Sequence, residues 1–189
     1  MKSRLVAVLW VACTLNTQAS GPVGGGAQAA VGALSTISAL DVPRYMGTWY
    51  EIAKYPNWFQ TKCASNTSAE YSLQTDASVR VVNRCTMKDG QLSEAVGAAR
   101  QVGDANSPKL EVRFAPAWLS FVAAVWGDYW VIDLDPQYRL VAVSEPKREY
   151  LWVLSRTPKV DQKAYDELLA RLEKKGFDLR KLEVSKQEE

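Results

Sequence analysis

The chain has no histidine. That excludes Ser-His-Asp and Cys-His catalysis and removes the commonest side-chain ligand of zinc and other transition metals. An enzyme built on this sequence would have to work through carboxylates, lysine, tyrosine or cysteine, and no metal or cofactor is expected. An excess of one charge is also missing. The 23 Lys and Arg stand against 21 Asp and Glu, for a net charge of +2, and bases and acids are interspersed. No basic patch is readable, so no nucleic-acid partner is expected. Cysteines are few: Cys13, Cys63 and Cys85. Cys13 falls in a leader-like stretch, which leaves an even pair. Cys63 and Cys85 suit a disulfide in an oxidising compartment; the other reading is two unrelated small core residues.

The leader has a basic start, Met1-Lys2-Ser3-Arg4, and an apolar run from Leu5 to Ala12 that is too short to span a bilayer. Residues 1–19 read as an export signal with two possible exits. Thr17-Gln18-Ala19 before Ser20 offers small residues to a signal peptidase. Alternatively, Trp10-Val11-Ala12-Cys13 resembles a bacterial lipobox, with Cys13 as the lipidated first residue, although Trp10 stands where Leu is usual. Residues 20–40 are uncharged and rich in Gly, Ala and Ser, which reads as a flexible linker. The expected domain is 41–184, followed by a charged tail, 185–189.

Within the domain, eight β-type segments follow at short spacing: Thr48–Tyr55, Ser65–Leu73, Val79–Cys85, Leu92–Val102, Lys109–Phe114, Tyr129–Leu134, Tyr138–Val143 and Tyr150–Arg156. In the fifth, Leu110, Val112 and Phe114 alternate with Lys109, Glu111 and Arg113, as in a half-buried strand. Asp89-Gly90 is a hairpin signal, and Asp135-Pro136 and Glu145-Pro146 break the chain. No helical period separates these segments, so the pattern is an antiparallel meander, a barrel or a sandwich. After Pro158 the period changes. Asp161 is a cap, Ala164, Leu168 and Leu172 form an apolar stripe, and Gly176 suits the residue after the helix. A short final strand is expected within Phe177–Val184.

Three motifs then carry a resemblance. Gly47-Thr48-Trp49-Tyr50 resembles the Gly-x-Trp signature that opens the lipocalin fold. Gly127-Asp128-Tyr129 resembles the second lipocalin signature, and Leu154-Ser155-Arg156 the third, whose Arg covers the Trp. The run Tyr150–Pro158 is similar to the bacterial outer-membrane lipocalins, a subgroup related to apolipoprotein D. The resemblance spans residues 41–184. It implies an all-β, eight-stranded antiparallel up-and-down barrel with one C-terminal α-helix packed on it. It also implies non-covalent binding, storage or transport of a small hydrophobic ligand, a fatty acid or (lyso)phospholipid, in the bacterial cell envelope. The expected location is the outer membrane, through a lipid anchor, or the periplasm.

An up-and-down order brings the start of the first strand and the end of the eighth to one end, so Trp49 and Arg156 are expected to meet there with Gly47 as structural residues. Cys63 and Cys85 fall at the opposite end. By parity with Trp49 and Arg156, the candidate ligand-facing residues are Glu51, Ala53, Trp152 and Leu154, with Tyr71, Asn83, Phe114 and Tyr129 from other strands. Glu51 is the sharpest of these, because a carboxylate facing an apolar interior must be paired, hydrated or protonated. The stretch 115–127 has no charge and carries Trp118, Leu119, Phe121 and Trp126, which reads as a lid or a membrane-facing lip. Two other classes compete: a lipocalin-fold enzyme working through a Cys63 thiolate, and a structural envelope tether. Oligomeric state is left open.

Overall fold

The computed structural model describes residues 32–188. Eight strands run in sequence order: β1 (Gly47–Lys54), β2 (Cys63–Leu73), β3 (Val79–Met87), β4 (Leu92–Gln101), β5 (Lys109–Arg113), β6 (Gly127–Leu134), β7 (Leu140–Ser144) and β8 (Leu151–Ser155). Each pairs antiparallel with the next, and β8 returns to β1, so the sheet closes into an eight-stranded barrel. A four-residue helix, α1 (Val42–Tyr45), precedes β1, capped by the Asp41 carboxylate. Helix α2 (Gln162–Lys174) follows β8, with Asp161 accepting from the Ala164 amide. A two-residue strand, β9 (Glu183–Val184), adds to the upper part of β1.

Two apolar cores share the sheet. The inner one lies on the inward face of the barrel wall and includes Trp49, Tyr71, Val81, Leu110, Val131, Val143 and Leu154. The outer one lies between the wall and α2, where Tyr165, Leu168 and Leu172 meet Ile132, Ala142, Leu151 and Val153. β7 therefore has both faces covered, and all five of its residues are buried. The apolar stripe read in the sequence is the face of α2 that makes this second core.

Two expected boundaries shift. The linker does not run to residue 40. Leu34 joins the outer core, Leu40 the inner core, and the Ile37 amide donates to the Val131 carbonyl at 3.1 Å. Nor do residues 185–188 hang as a tail. The Ser185 amide donates to the Ile52 carbonyl, the Asn66 amide to the Lys186 carbonyl, and the Glu188 amide to Asn66 Oδ1. The pairing of β1 with β2 stops at Tyr50↔Ser68, and this C-terminal segment continues between the two strands beyond that point. Asn66, at φ 55°, marks the break in β2, in a backbone region that Asn tolerates better than most residues. The leader, Cys13 and the rest of residues 1–31 lie outside the described residues.

Candidate functional site

The closed end is built on Trp49. Its ring is fully buried, its Nε1–H donates to the Tyr45 carbonyl at 2.9 Å, and the Arg156 guanidinium lies 4.0 Å above the ring centroid. Arg156 also donates to the carbonyls of Arg44, Tyr45, Thr48 and Tyr138. It thus sews α1, β1 and the turn before β7 together. Gly47 is required here twice over. Its φ of 95° is costly for other residues, and a Cβ would stand 3.2 Å from the Arg156 guanidinium.

Above this plug, three tyrosine hydroxyls meet. Tyr45 Oη and Tyr129 Oη are 2.7 Å apart, and Tyr71 Oη is 3.0 Å from Tyr129 Oη. Burial raises all three phenols above their ordinary pKa, Tyr71 to about 12, so they stay neutral. Tyr45 has no signal in the strand pattern, because a single turn of helix shows no periodicity.

Pairing decides which other expected wall residues face inward. Leu154 belongs to the inner core, Trp152 packs against it, and Asn83 pairs with the inner-core residue Ala69. Glu51 pairs with Leu154 and so shares its face. Phe114 lies against Gly97, where a Cβ would stand 2.7 Å from its ring. Gly97 pairs with the inner-core Val81, which brings Phe114 to the inner side of the wall. Ala53 is the exception. The register between β1 and β8 slips between Glu51 and Ala53, and the extra residue turns Ile52 and Ala53 together onto the outer core under α2. Ala53 does not line the interior.

Glu51 is 3% exposed, and both of its oxygens are engaged. Ser185 Oγ donates to Oε1 at 2.6 Å and Gln60 Nε2 donates to Oε2 at 2.8 Å. Gln60 Oε1 in turn accepts from Trp152 Nε1 at 3.0 Å. The carboxylate therefore links the C-terminal segment, the β1–β2 loop and the barrel wall. Burial raises its pKa above the ordinary 4.5, against the opposing donation from Ser185 and Gln60. The folded protein then holds this proton at a pH where the unfolded chain has released it. This contribution to stability is complete below the unfolded value and is lost as pH rises through the folded one. Glu51→Gln is expected to remove that decline. Urea midpoints of both proteins from about pH 4 to about pH 8 check it: the variant gains on the wild type as pH rises above about 4.5.

At the other end, the loops carry aromatics into solvent. Trp58 is 77% exposed in the β1–β2 loop, and Trp118 and Phe121 are 71% and 82% exposed in the β5–β6 loop. The β5–β6 loop divides in two. Trp118 and Phe121 are free of the wall, Leu119 is half-buried, and Trp126 is held by its Nε1–H to the Ser120 carbonyl and by Arg100, 4.2 Å from its ring. Phe59, partly exposed, bridges outward-facing Trp58 to the stacked Tyr150 and Trp152. Strand patterning passes over Trp58-Phe59, whose sequence signal is two adjacent aromatics shortly after Pro56. Cys63 and Cys85 form a disulfide at this same end, with Cα atoms 5.6 Å apart.

Residues 40–187 match the family of lipocalin-like domains. The chain belongs to the lipocalin family. It is 36% identical over 156 residues to temperature-induced lipocalin-1 of Arabidopsis thaliana, covering 82% of this chain and 83% of that one. It is 36% identical over 149 residues to the outer membrane lipoprotein Blc of Escherichia coli K12, covering 78% and 80%. Among solved structures, insecticyanin of the tobacco hornworm Manduca sexta shares the fold, with a TM-score of 0.62 at 19% identity over 82% of this chain and 85% of that one. Lipocalins bind small hydrophobic ligands.

Proposed function

We propose that this lipocalin binds and carries fatty acids or lysophospholipids in the bacterial cell envelope, exported and either anchored at the outer membrane through Cys13 or released into the periplasm. The observation that carries the reading is the asymmetry of the barrel. One end is sealed by Trp49 and Arg156, while the other presents Trp58, Trp118 and Phe121 to solvent. A long acyl chain gains about 25 cal/mol for each Å² of apolar surface it buries inside. Aromatics at the mouth suit exchange of that chain with a membrane surface. The residues proposed to face the ligand are Glu51, Tyr71, Asn83, Phe114, Tyr129, Trp152 and Leu154. The relatives named as outer membrane lipoproteins support the envelope location. The enzyme reading through a Cys63 thiolate has less support, because that sulfur is taken by the bond to Cys85.

Calorimetric titration with hexadecanoic acid and with a lysophosphatidylethanolamine tests the ligand class. Saturable one-to-one binding of either is expected, and absence of binding by both contradicts the proposal. The mouth is tested separately by co-sedimentation with phosphatidylethanolamine–phosphatidylglycerol vesicles. Trp118→Ser with Phe121→Ser is expected to weaken vesicle binding at least about tenfold, from the loss of two aromatic contacts. Equal binding by both proteins would remove the membrane-facing role of the loop.

A further inference from the structure

The three tyrosine hydroxyls at the base of the barrel are more than packing. Tyr71 is on β2 and Tyr129 on β6, strands four places apart around the eight-stranded wall, so their hydroxyl contact crosses the interior. Tyr45 rises to the same point from α1. Three phenols supply three protons, but the cluster has two contacts. A linear chain of three hydroxyls uses two protons within itself and leaves one to donate outward. In apolar surroundings such a donor gains from a further acceptor.

We propose that this cluster is a binding floor for the deep end of the ligand, and that it selects a neutral oxygen there: an alcohol or a ketone at the end of a long apolar skeleton. The inference rests on the barrel carrying acyl-chain ligands, as argued above. A neutral oxygen fits better than an anion. The cation that acts on Tyr45 is Arg156, and its guanidinium is committed to Trp49 and four carbonyls. A carboxylate at the floor would be buried without a partner, whereas a hydroxyl or carbonyl needs only the proton the cluster offers. The phenols stay protonated there because burial raises them.

The test compares hexadecanoic acid with ω-hydroxyhexadecanoic acid on the wild type and on Tyr71→Phe/Tyr129→Phe. A terminal hydroxyl is normally penalised in an apolar pocket. On the wild type the two acids are expected to bind within about threefold of each other. On the variant the hydroxy acid is expected to fall at least about tenfold behind its parent. An unchanged ratio overturns the floor and leaves the acyl-chain reading standing; failure of both acids to bind the wild type overturns both. A second measurement needs no variant. Across ω-hydroxy acids from dodecanoic to octadecanoic, the penalty relative to each parent is expected to pass through a minimum at the length that reaches the cluster. A penalty independent of length overturns the proposal.

Discussion

Trp49→Ala is expected to lower stability by about 3 to 5 kcal/mol, the largest loss of any single substitution considered. The ring is fully buried and lies at the junction of α1, β1 and β8. Its removal opens a void that the surrounding backbone cannot close, because Arg156 holds that backbone by four hydrogen bonds. It also strips the guanidinium of its aromatic partner, a contact that contributes about 1 kcal/mol or more when desolvated. Trp49→Phe is expected to recover part of the loss, since it refills volume without restoring the Nε1–H bond to Tyr45. Urea denaturation of the three proteins checks the order. By contrast, Trp118→Ala removes an exposed ring and is expected to change stability by less than about 0.5 kcal/mol.

Loss of the Cys63–Cys85 bond is expected to cost about 3 kcal/mol on the chain-entropy account, for a sequence separation of 22. The effect should also be local. The upper part of β2 has lost β1 as a neighbour, and its register against β3 is irregular between Cys63 and Ser68. Beyond β3, it is held by the C-terminal segment through Asn66 and Thr67 and by the disulfide. Cys63→Ser/Cys85→Ser, followed by hydrogen exchange, is expected to lose protection first at residues 63–68, ahead of β7 and β8. Uniform loss across the barrel would show instead that the bond acts on the unfolded chain alone.

The strand order was legible because strand-favouring runs, of which Lys109–Phe114 alternates most clearly, are separated by turn signals such as Asp89-Gly90 and Asp135-Pro136. Once eight such runs are counted, up-and-down parity alone fixes which ends coincide. It puts Trp49 and Arg156 at one end, and closure into a barrel, which the lipocalin resemblance implies, brings them together. Parity failed at Ala53, because nothing in Glu51-Ile52-Ala53 announces the extra residue that turns both Ile52 and Ala53 outward. Composition failed at both limits of the domain. Leu34 and Leu40 are buried within a stretch that reads as a linker. Residues 185–188 belong to a stretch that reads as a charged tail, yet they are held by backbone groups of Ser185, Lys186 and Glu188 and by the Ser185 and Gln187 side chains, contacts to which composition is blind. The tyrosine cluster was illegible as a cluster: Tyr71 and Tyr129 could be placed on the wall, but their meeting with Tyr45 depends on the position of α1 and the bore of the barrel.

The central claim is that the barrel carries an apolar molecule between a sealed floor and an open mouth. The most direct measurement is mass spectrometry of lipid extracted from the natively purified protein. The account predicts acyl-chain molecules at close to one per protein, depleted when the protein is denatured and refolded without lipid. A natively purified barrel that yields no stoichiometric lipid, and takes none up when it is offered, would contradict it.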